Sequence, residues 1–236
     1  MNKKELLTEL QKININITKE QSETIDVFCD YLMEYNEHTN LTAIKDRESI
    51  YLKHIYDSLT LSTAINLNEL ETVLDIGTGP GFPGIVLKFI YPHLKITLLD
   101  SNNKKTKFLE TVVEKFQLNE ITIINARAED YIQNNREKFD LVTSRAVARL
   151  NILLELSIPY VTINGYFIAM KGIKDQVETE EGIATALLLD SKIELILELE
   201  LPIENSARTL YKIKKESQTS KKYPRRYEQI KKNPLK

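Results

Sequence analysis

The stretch Val73-Leu74-Asp75-Ile76-Gly77-Thr78-Gly79-Pro80-Gly81-Phe82-Pro83-Gly84 constrains the fold more than any other part of the chain. Val73 to Ile76 form a short apolar run carrying one acid. Four glycines at close spacing follow, and then Ile85, Val86, Phe89 and Ile90 recur with a helical period. The pattern predicts a strand, a tight turn and a helix start. Pro83 suits the first helical turn, where its missing N–H costs nothing. Glycines in such a turn let backbone approach a ligand closely, because no Cβ stands between them.

Strand-like and helix-like segments alternate from Glu71 onward, the signal of a parallel sheet covered by helices. Val73–Ile76, Ile96–Leu99, Ile121–Ile124, Phe139–Ser144, Tyr166–Met170 and Ile193–Leu201 are the expected strands. A last one, Arg208–Ile213, returns as a hairpin. Helical segments near Ile85–Tyr91, Lys104–Phe116, Leu150–Val161 and Asp175–Asp190 fall between them. The expectation is an α/β fold of six parallel-type strands with one antiparallel return. Before this core, residues 1–66 read as a helical extension. Leu6, Leu7 and Leu10 mark one helix; Ile25, Phe28, Leu32 and Tyr35 mark another, which Thr18 can cap. A polar turn at Tyr35–Asn40 is expected to break that helix. The division is thus 1–66 helical extension, 67–215 core and 216–236 basic tail.

Composition narrows the class. A chain of 236 residues that is 42% hydrophobic can bury one sizeable core. No apolar run reaches the roughly twenty residues that span a bilayer, and Met1-Asn2-Lys3-Lys4-Glu5 leads into no apolar signal region, so a cytosolic protein without membrane contact is expected. Cys29 is the only cysteine, which excludes an internal disulfide and a clustered-thiolate metal site. His38, His54 and His93 lack metal-ligand spacing and are expected to be structural or surface groups. Charge is unevenly spread. Residues 212–236 carry ten Lys or Arg against Glu216 and Glu228, a local +8 within a chain of net −2, leaving −10 for the rest. Such a tail can track a phosphate backbone or simply be a solvated face.

Two ligand patterns overlap in the glycine stretch. Gly79 to Gly84 fits the dinucleotide pattern G-x-G-x-x-G, and Asp75 to Gly81 fits the first motif of S-adenosylmethionine (AdoMet) methyltransferases. Asp75 weighs against a pyrophosphate and suits a cationic sulfonium, unless it merely caps the turn. Ligands of such sheets lie beyond the carboxyl ends of the strands. Asp100, 25 positions after Asp75, closes the second strand and is placed to accept from ribose hydroxyls; its bland alternative is a helix cap near Asn102. Ala128 and Glu129 follow the third strand and can frame an adenine, or Glu129 is a surface acid. Arg145 ends the fourth. It can orient a carboxylate, a phosphate or a guanine edge, or pair with an acid.

These words, taken together, resemble the bacterial small-subunit ribosomal RNA methyltransferase G family, also called glucose-inhibited division protein B. The resemblance rests on Asn40–Ile44, His54 with Asp57-Ser58-Leu59, Asp75–Gly84, Leu99-Asp100-Ser101, Ala126–Glu129, Ser144–Ala148 and Lys221–Arg225. It implies a class I AdoMet-dependent methyltransferase with a Rossmann-like, seven-stranded, mostly parallel sheet. The implied reaction is methylation at N7 of a guanosine in the decoding-region loop of 16S rRNA, within naked rRNA or a ribosomal particle. It further implies that Gly77, Phe82, Ala128, Glu129 and Arg145 contact AdoMet, to which the loop glycine Gly79 and Asp100 are added. No metal, no DNA partner and a monomer are expected. The tail departs from the family: after Tyr223-Pro224-Arg225 comes Arg226-Tyr227-Glu228-Gln229-Ile230 in place of a Gly-Thr-Pro-Asn segment.

The chemistry is independently constrained. Methylation at carbon 5 of a pyrimidine usually needs a cysteine, and Cys29 lies in the N-terminal helices. The Asn/Asp-Pro-Pro-aromatic clamp of amine methylation is absent, since Ser144-Arg145-Ala146 occupies its place. Guanine N7 has its own lone pair, so alignment suffices and no catalytic base is assigned. A ribose hydroxyl stays open as an acceptor, with Lys171 as a possible aid or an RNA phosphate contact. Lys104, Lys105 and Lys107 can extend a basic surface. Two other function classes stand beside the methyltransferase: a non-catalytic nucleic-acid-binding protein, and a dinucleotide-dependent oxidoreductase. On this reading the tail serves RNA alone, and removing residues 221–236 leaves AdoMet affinity nearly intact.

Overall fold

The computed structural model describes residues 1–145 and 148–236. In chain order it contains α1 (Lys3–Lys12), α2 (Lys19–Thr39), α3 (Arg47–Ile50), a π-helical segment Tyr51–Tyr56 and α4 (Asp57–Leu59). Then come β1 (Thr72–Ile76), α5 (Gly84–Ile90), β2 (Lys95–Asp100), α6 (Asn103–Lys115), β3 (Ile121–Asn125), α7 (Ala128–Tyr131) and β4 (Phe139–Arg145). α8 (Leu150–Ser157), β5 (Val161–Lys171), α9 (Gln176–Leu188), β6 (Ser191–Leu201), β7 (Ser206–Lys215) and α10 (Tyr227–Lys232) complete the chain.

The sheet has seven strands in the order β3-β2-β1-β4-β5-β7-β6. β1 pairs in parallel with both β2 and β4, β2 with β3, and β4 with β5, while β7 runs antiparallel to β5 and to β6. Six strands therefore share a direction and β7 opposes them, as the sequence suggests. The hairpin β6–β7 enters the sheet with its second strand inward.

Side-chain alternation sorts the core into two layers, because successive strand residues face opposite sides of a sheet. Val73, Leu98, Leu141, Ile168 and Leu210 pack with α1, α2, α5 and α6 in one buried cluster. Their neighbours Leu74, Leu99, Val142, Phe167 and Tyr211 pack with α8 and α9 in the other. Leu6, Leu10, Ile25, Phe28 and Leu32 of the N-terminal helices belong to the first cluster, continuous with the sheet.

Local signals account for most boundaries. Thr18 caps α2 through a capping box with Gln21, and Asp175 caps α9 by accepting from Glu178 N–H at 2.6 Å. The expected break at Tyr35 does not occur, and α2 runs on to Thr39. Asn36 is buried there, accepting from Thr42 N–H at 3.0 Å and donating to Thr42 O at 2.9 Å, so its polar side chain secures the chain reversal from inside the helix. Asn40 then ends the helix in the left-handed region, at φ 53°. β5 starts at Val161, five residues before the expected Tyr166, and extends the sheet toward Pro159.

The basic tail is docked on the core. Arg225 makes a two-pronged pair with the fully buried Glu155, at 2.8 and 2.6 Å, and its own N–H donates to the same carboxylate at 2.9 Å. Arg136 donates to Tyr223 O at 2.7 Å, and Ile230 is fully buried. Leu235 O accepts from Asn151 and from Thr185 at 3.1 and 3.0 Å. Lys221, Lys222, Arg226, Lys231, Lys232 and Lys236 stay exposed, so the docked tail presents a basic outer face.

Candidate active site

The turn after β1 is built by glycine and tied to β2. Gly77 and Gly79 take φ of 68° and 60°, and Gly81 takes 103°, a region that side chains with a Cβ rarely adopt. Gly77 and Thr78 N–H donate to Leu99 O at 2.8 and 3.2 Å, and Gly79 N–H to Asp100 Oδ2 at 2.9 Å. Gly81 and Phe82 N–H donate to Thr78 O at 3.0 and 2.9 Å, and Gly84 N–H to Asp75 Oδ2 at 2.8 Å. Pro80 and Pro83 have no N–H. Every amide of the turn is thereby used inside the protein, and none remains to cradle a pyrophosphate in the manner of a dinucleotide or P-loop nest.

This replaces the sequence argument from Asp75. That carboxylate is fully buried beneath the turn, where it serves the start of α5 and is no part of the cavity wall. Burial pushes its pKa up to about 6, against the pull of the Gly84 N–H and Arg145. Its Oδ1 and the Thr78 hydroxyl are both buried without a partner. The bland reading of Asp75, an acid that holds the turn, is the structural one.

The turn borders a cavity of about 710 Å3 at the carboxyl ends of the parallel strands. All seven residues anticipated as cofactor contacts, Gly77, Gly79, Phe82, Asp100, Ala128, Glu129 and Arg145, line it. Asp100 also accepts from Asn102 N–H at 2.8 Å, so both of its oxygens organise the β2 exit; the cap of α6 is Asn102 itself. Ala128 and Glu129 open α7, whose position is held by the buried Tyr160 hydroxyl donating to Ala128 O. Burial raises the Glu129 pKa above the ordinary carboxylate range.

Against the turn's Phe82 stands a network of side chains. Arg145 donates to Lys53 O at 2.8 Å, to Asp57 Oδ2 at 3.2 Å and to His54 Nδ1 at 3.1 Å. Asp57 Oδ1 accepts in turn from Arg208 Nε at 3.1 Å. A guanidinium can only donate, so His54 Nδ1 is the acceptor and Nε2 carries the proton, directed at Thr42 Oγ1 3.0 Å away. Burial first, and Arg145 second, drive the His54 pKa down to about 3, so the imidazole is neutral near neutrality. Its ring lies flat on Phe82, with centroids 4.2 Å apart and planes within 11°. Arg145 thus meets an acid, as its plain alternative held, while also forming cavity wall.

His54 is a buried structural group, in line with one of the two roles expected for it, and it also forms part of the cavity wall. It lies on the π-helical segment and lines the cavity with Lys53 and Asp57. The His54–Asp57 word is local, whereas its partners Thr42, Arg145 and Arg208 join it only in three dimensions. Lys171 donates to Ala148 O at 2.6 Å and to Glu178 at 2.8 Å. Lys105 reaches the cavity beside Gly79, whereas Lys104 and Lys107 do not line it. Ala146 and Val147, part of the Ser144–Ala148 word, lie outside the described residues. Among the described residues no cluster of His, Cys, Asp and Glu forms a metal site, and no helix is long and apolar enough to cross a membrane.

Solved structures of similar shape place the fold. M. jannaschii TYW2, solved in complex with AdoMet, superposes with a TM-score of 0.54 at 17% identity, covering 67% of this chain and 76% of that one. The [4+2]-cyclase SpnF superposes at 0.57 with 10% identity, over 68% and 81%. The architecture is therefore the class I, Rossmann-like one, and a cyclase among its bearers illustrates that the fold alone does not fix a reaction. Sequence relatives are more specific. Ribosomal RNA small subunit methyltransferase G of Macrococcus caseolyticus is 41% identical over 236 residues, spanning 100% of this chain and 99% of the relative. That of Bacillus subtilis strain 168 is 40% identical, again across 100% and 99%. The model of the rRNA small subunit methyltransferase G family matches residues 21–205. With 41% and 40% identity across the whole chain and a family model spanning residues 21–205, the chain belongs to the rRNA small subunit methyltransferase G family.

Proposed function

We propose that this protein methylates N7 of a guanosine in the decoding-region loop of 16S rRNA, using AdoMet bound in the cavity at the strand tips. AdoMet supplies the methyl group and a sulfonium that departs as a neutral thioether. The residues present fit that molecule. The cavity volume falls within the ordinary range for small-molecule sites, roughly 300–1,000 Å3. Gly77 and Gly79 give close backbone approach, Asp100 offers carboxylate oxygens at the β2 tip for ribose hydroxyls, and Ala128 with Glu129 frames an adenine. A turn with no spare N–H suits a cationic amino-acid end better than a phosphate.

One observation carries the choice of acceptor: at the β4 and β5 tips no described side chain is free to take a proton. Asp57 is held by two arginines, His54 Nδ1 accepts from Arg145 while Nε2 faces Thr42, and Lys171 is engaged by Glu178 and Ala148 O. A ribose hydroxyl would need such a base, whereas guanine N7 attacks with its own lone pair. Catalysis then rests on alignment. Arg145 and His54, fixed by their partners, form a rigid wall against which nucleophile and methyl are aligned. The exposed lysines and arginines of the docked tail supply phosphate contacts for the RNA, with the salt dependence that such contacts bring.

The test is transfer of labelled methyl from AdoMet to purified small ribosomal subunits, followed by nucleoside analysis. The expected product is labelled 7-methylguanosine, lost in Gly77→Asp, which puts a Cβ and a carboxylate on cavity-lining backbone at φ 68°. A different labelled nucleoside discards the N7 assignment. AdoMet binding with no transfer to subunits or free rRNA favours a nucleic-acid-binding role instead.

A further inference from the structure

The segment in which the tail departs from its family, Arg226 to Ile230, places an aromatic ring in the cavity. Tyr227 lines it, half-buried, on the side where β3 delivers Arg127, Ala128 and Glu129. The Arg127 guanidinium lies over the Tyr227 ring, 5.5 Å from its centroid. We propose that Tyr227 is a binding residue for the adenine of AdoMet, stacking on the purine and closing the subsite framed by Ala128 and Glu129. The proposal rests on the reading of this cavity as the AdoMet site.

Three features favour the adenine over the target base. The ring sits against residues at the β3 tip, on the far side of the sheet from the β5 tip, where Lys171 and Gly172 border the cavity. Its place is fixed from both directions along the chain: the Arg225–Glu155 pair lies two residues before it, and buried Ile230 lies three after. Arg127 lies against one face of the ring and holds it in place, so a purine would stack on the other. A platform held this firmly loses little freedom when a purine settles on it. The tail thereby takes a share in cofactor affinity as well as in RNA contact, in contrast to the expectation that removing residues 221–236 leaves AdoMet binding nearly intact.

The experiment is isothermal calorimetry of AdoMet with the full-length wild type, Tyr227→Ala and Tyr227→Phe, alongside melting of each without ligand. Loss of one aromatic platform beneath a base is expected to weaken binding roughly tenfold in Tyr227→Ala. Tyr227→Phe keeps wild-type affinity, and the unliganded melting temperatures of all three agree. Unchanged AdoMet affinity in Tyr227→Ala overturns the proposal, including the case where only affinity for ribosomal subunits falls, since that assigns the ring to the RNA. An equal loss in Tyr227→Phe, or a loss matched by a lower unliganded melting temperature, also overturns it, because stacking is then not the cause. Absence of AdoMet binding by the wild type is a separate outcome. It removes the underlying reading of the cavity and the proposal with it.

Discussion

The cavity has two walls made by different means. Its β1–β2–β3 side is backbone: glycines at positive φ, amides bound to Leu99 O and Asp100, and contacts within some twenty-odd residues of sequence. The adjoining side is charge and imidazole: His54, Asp57, Arg145 and Arg208, backed by Thr42, with Asp57 and Arg208 separated by 151 positions. A backbone wall fails through shape: a Cβ is strained by the positive φ at Gly77 and Gly79, and behind them at Gly81 and Gly84 it collides with Ile85 and Leu98. A side-chain wall fails through electrostatics, because losing one partner strands the others in a dry environment.

The largest effect expected from this difference is at Asp57. Asp57→Ala leaves two guanidiniums without their shared acid, Arg145 being largely buried, and should cost about 3–5 kcal/mol in urea unfolding. Next comes Gly84→Ala. Its Cβ would stand 2.2 Å from Leu98 Cδ2 and 3.0 Å from Asp75 Oδ2, an overpacking worth about 1–3 kcal/mol by the same measurement. Should Gly84→Ala prove the costlier of the two, the contrast between the walls breaks.

A pH series sharpens the comparison. Folded His54 stays neutral down to about 3, while the unfolded imidazole takes up a proton near 6.5, so its contribution is full above that value and is lost as pH falls. From about pH 7 to pH 5, the wild type should therefore lose about 1–2 kcal/mol relative to His54→Gln. Asp75 works in the other direction, since its raised pKa favours the folded state at acid pH, and it acts equally in both proteins. Parallel pH profiles for the two would contradict the neutral imidazole. The smallest effect belongs to Lys105, which has no acidic partner among the described residues. Lys105→Ala should change stability by less than about 0.5 kcal/mol, and a greater loss on chemical denaturation would mean that the backbone wall depends on charge after all.

Legibility in the sequence followed the same division. Strand–turn–helix order, the Gly77–Gly84 turn, Asp100 and the Ala128–Glu129 pair were readable because each is a local pattern at the end of a strand. Seven strands and their directions came from alternation of apolar runs with helical periods. The role of Asp75 was misjudged because sequence shows a carboxylate at a tip without showing whether it faces ligand or protein. His54 and Asp57 stood out as one sequence word, but their meeting with Arg145 and Arg208 depends on how the N-terminal helices pack on the sheet. Tyr227 was seen only as part of a basic tail, whose docking depends on a buried acid, Glu155, some seventy residues earlier.

The inward placement of β7 sets an order of assembly. β6 precedes β7 in the chain but bonds to the sheet only through it, and β5 offers its Tyr166–Lys171 edge to no other strand. While the chain is being made from its N-terminus, β6 has no site to join and β5 stays an open edge, the kind of surface that invites pairing with other chains. Ser206 to Lys215 close both at once. The same strand brings Arg208 to Asp57, so the charged wall of the cavity reaches its final composition only as the open edge of β5 is covered.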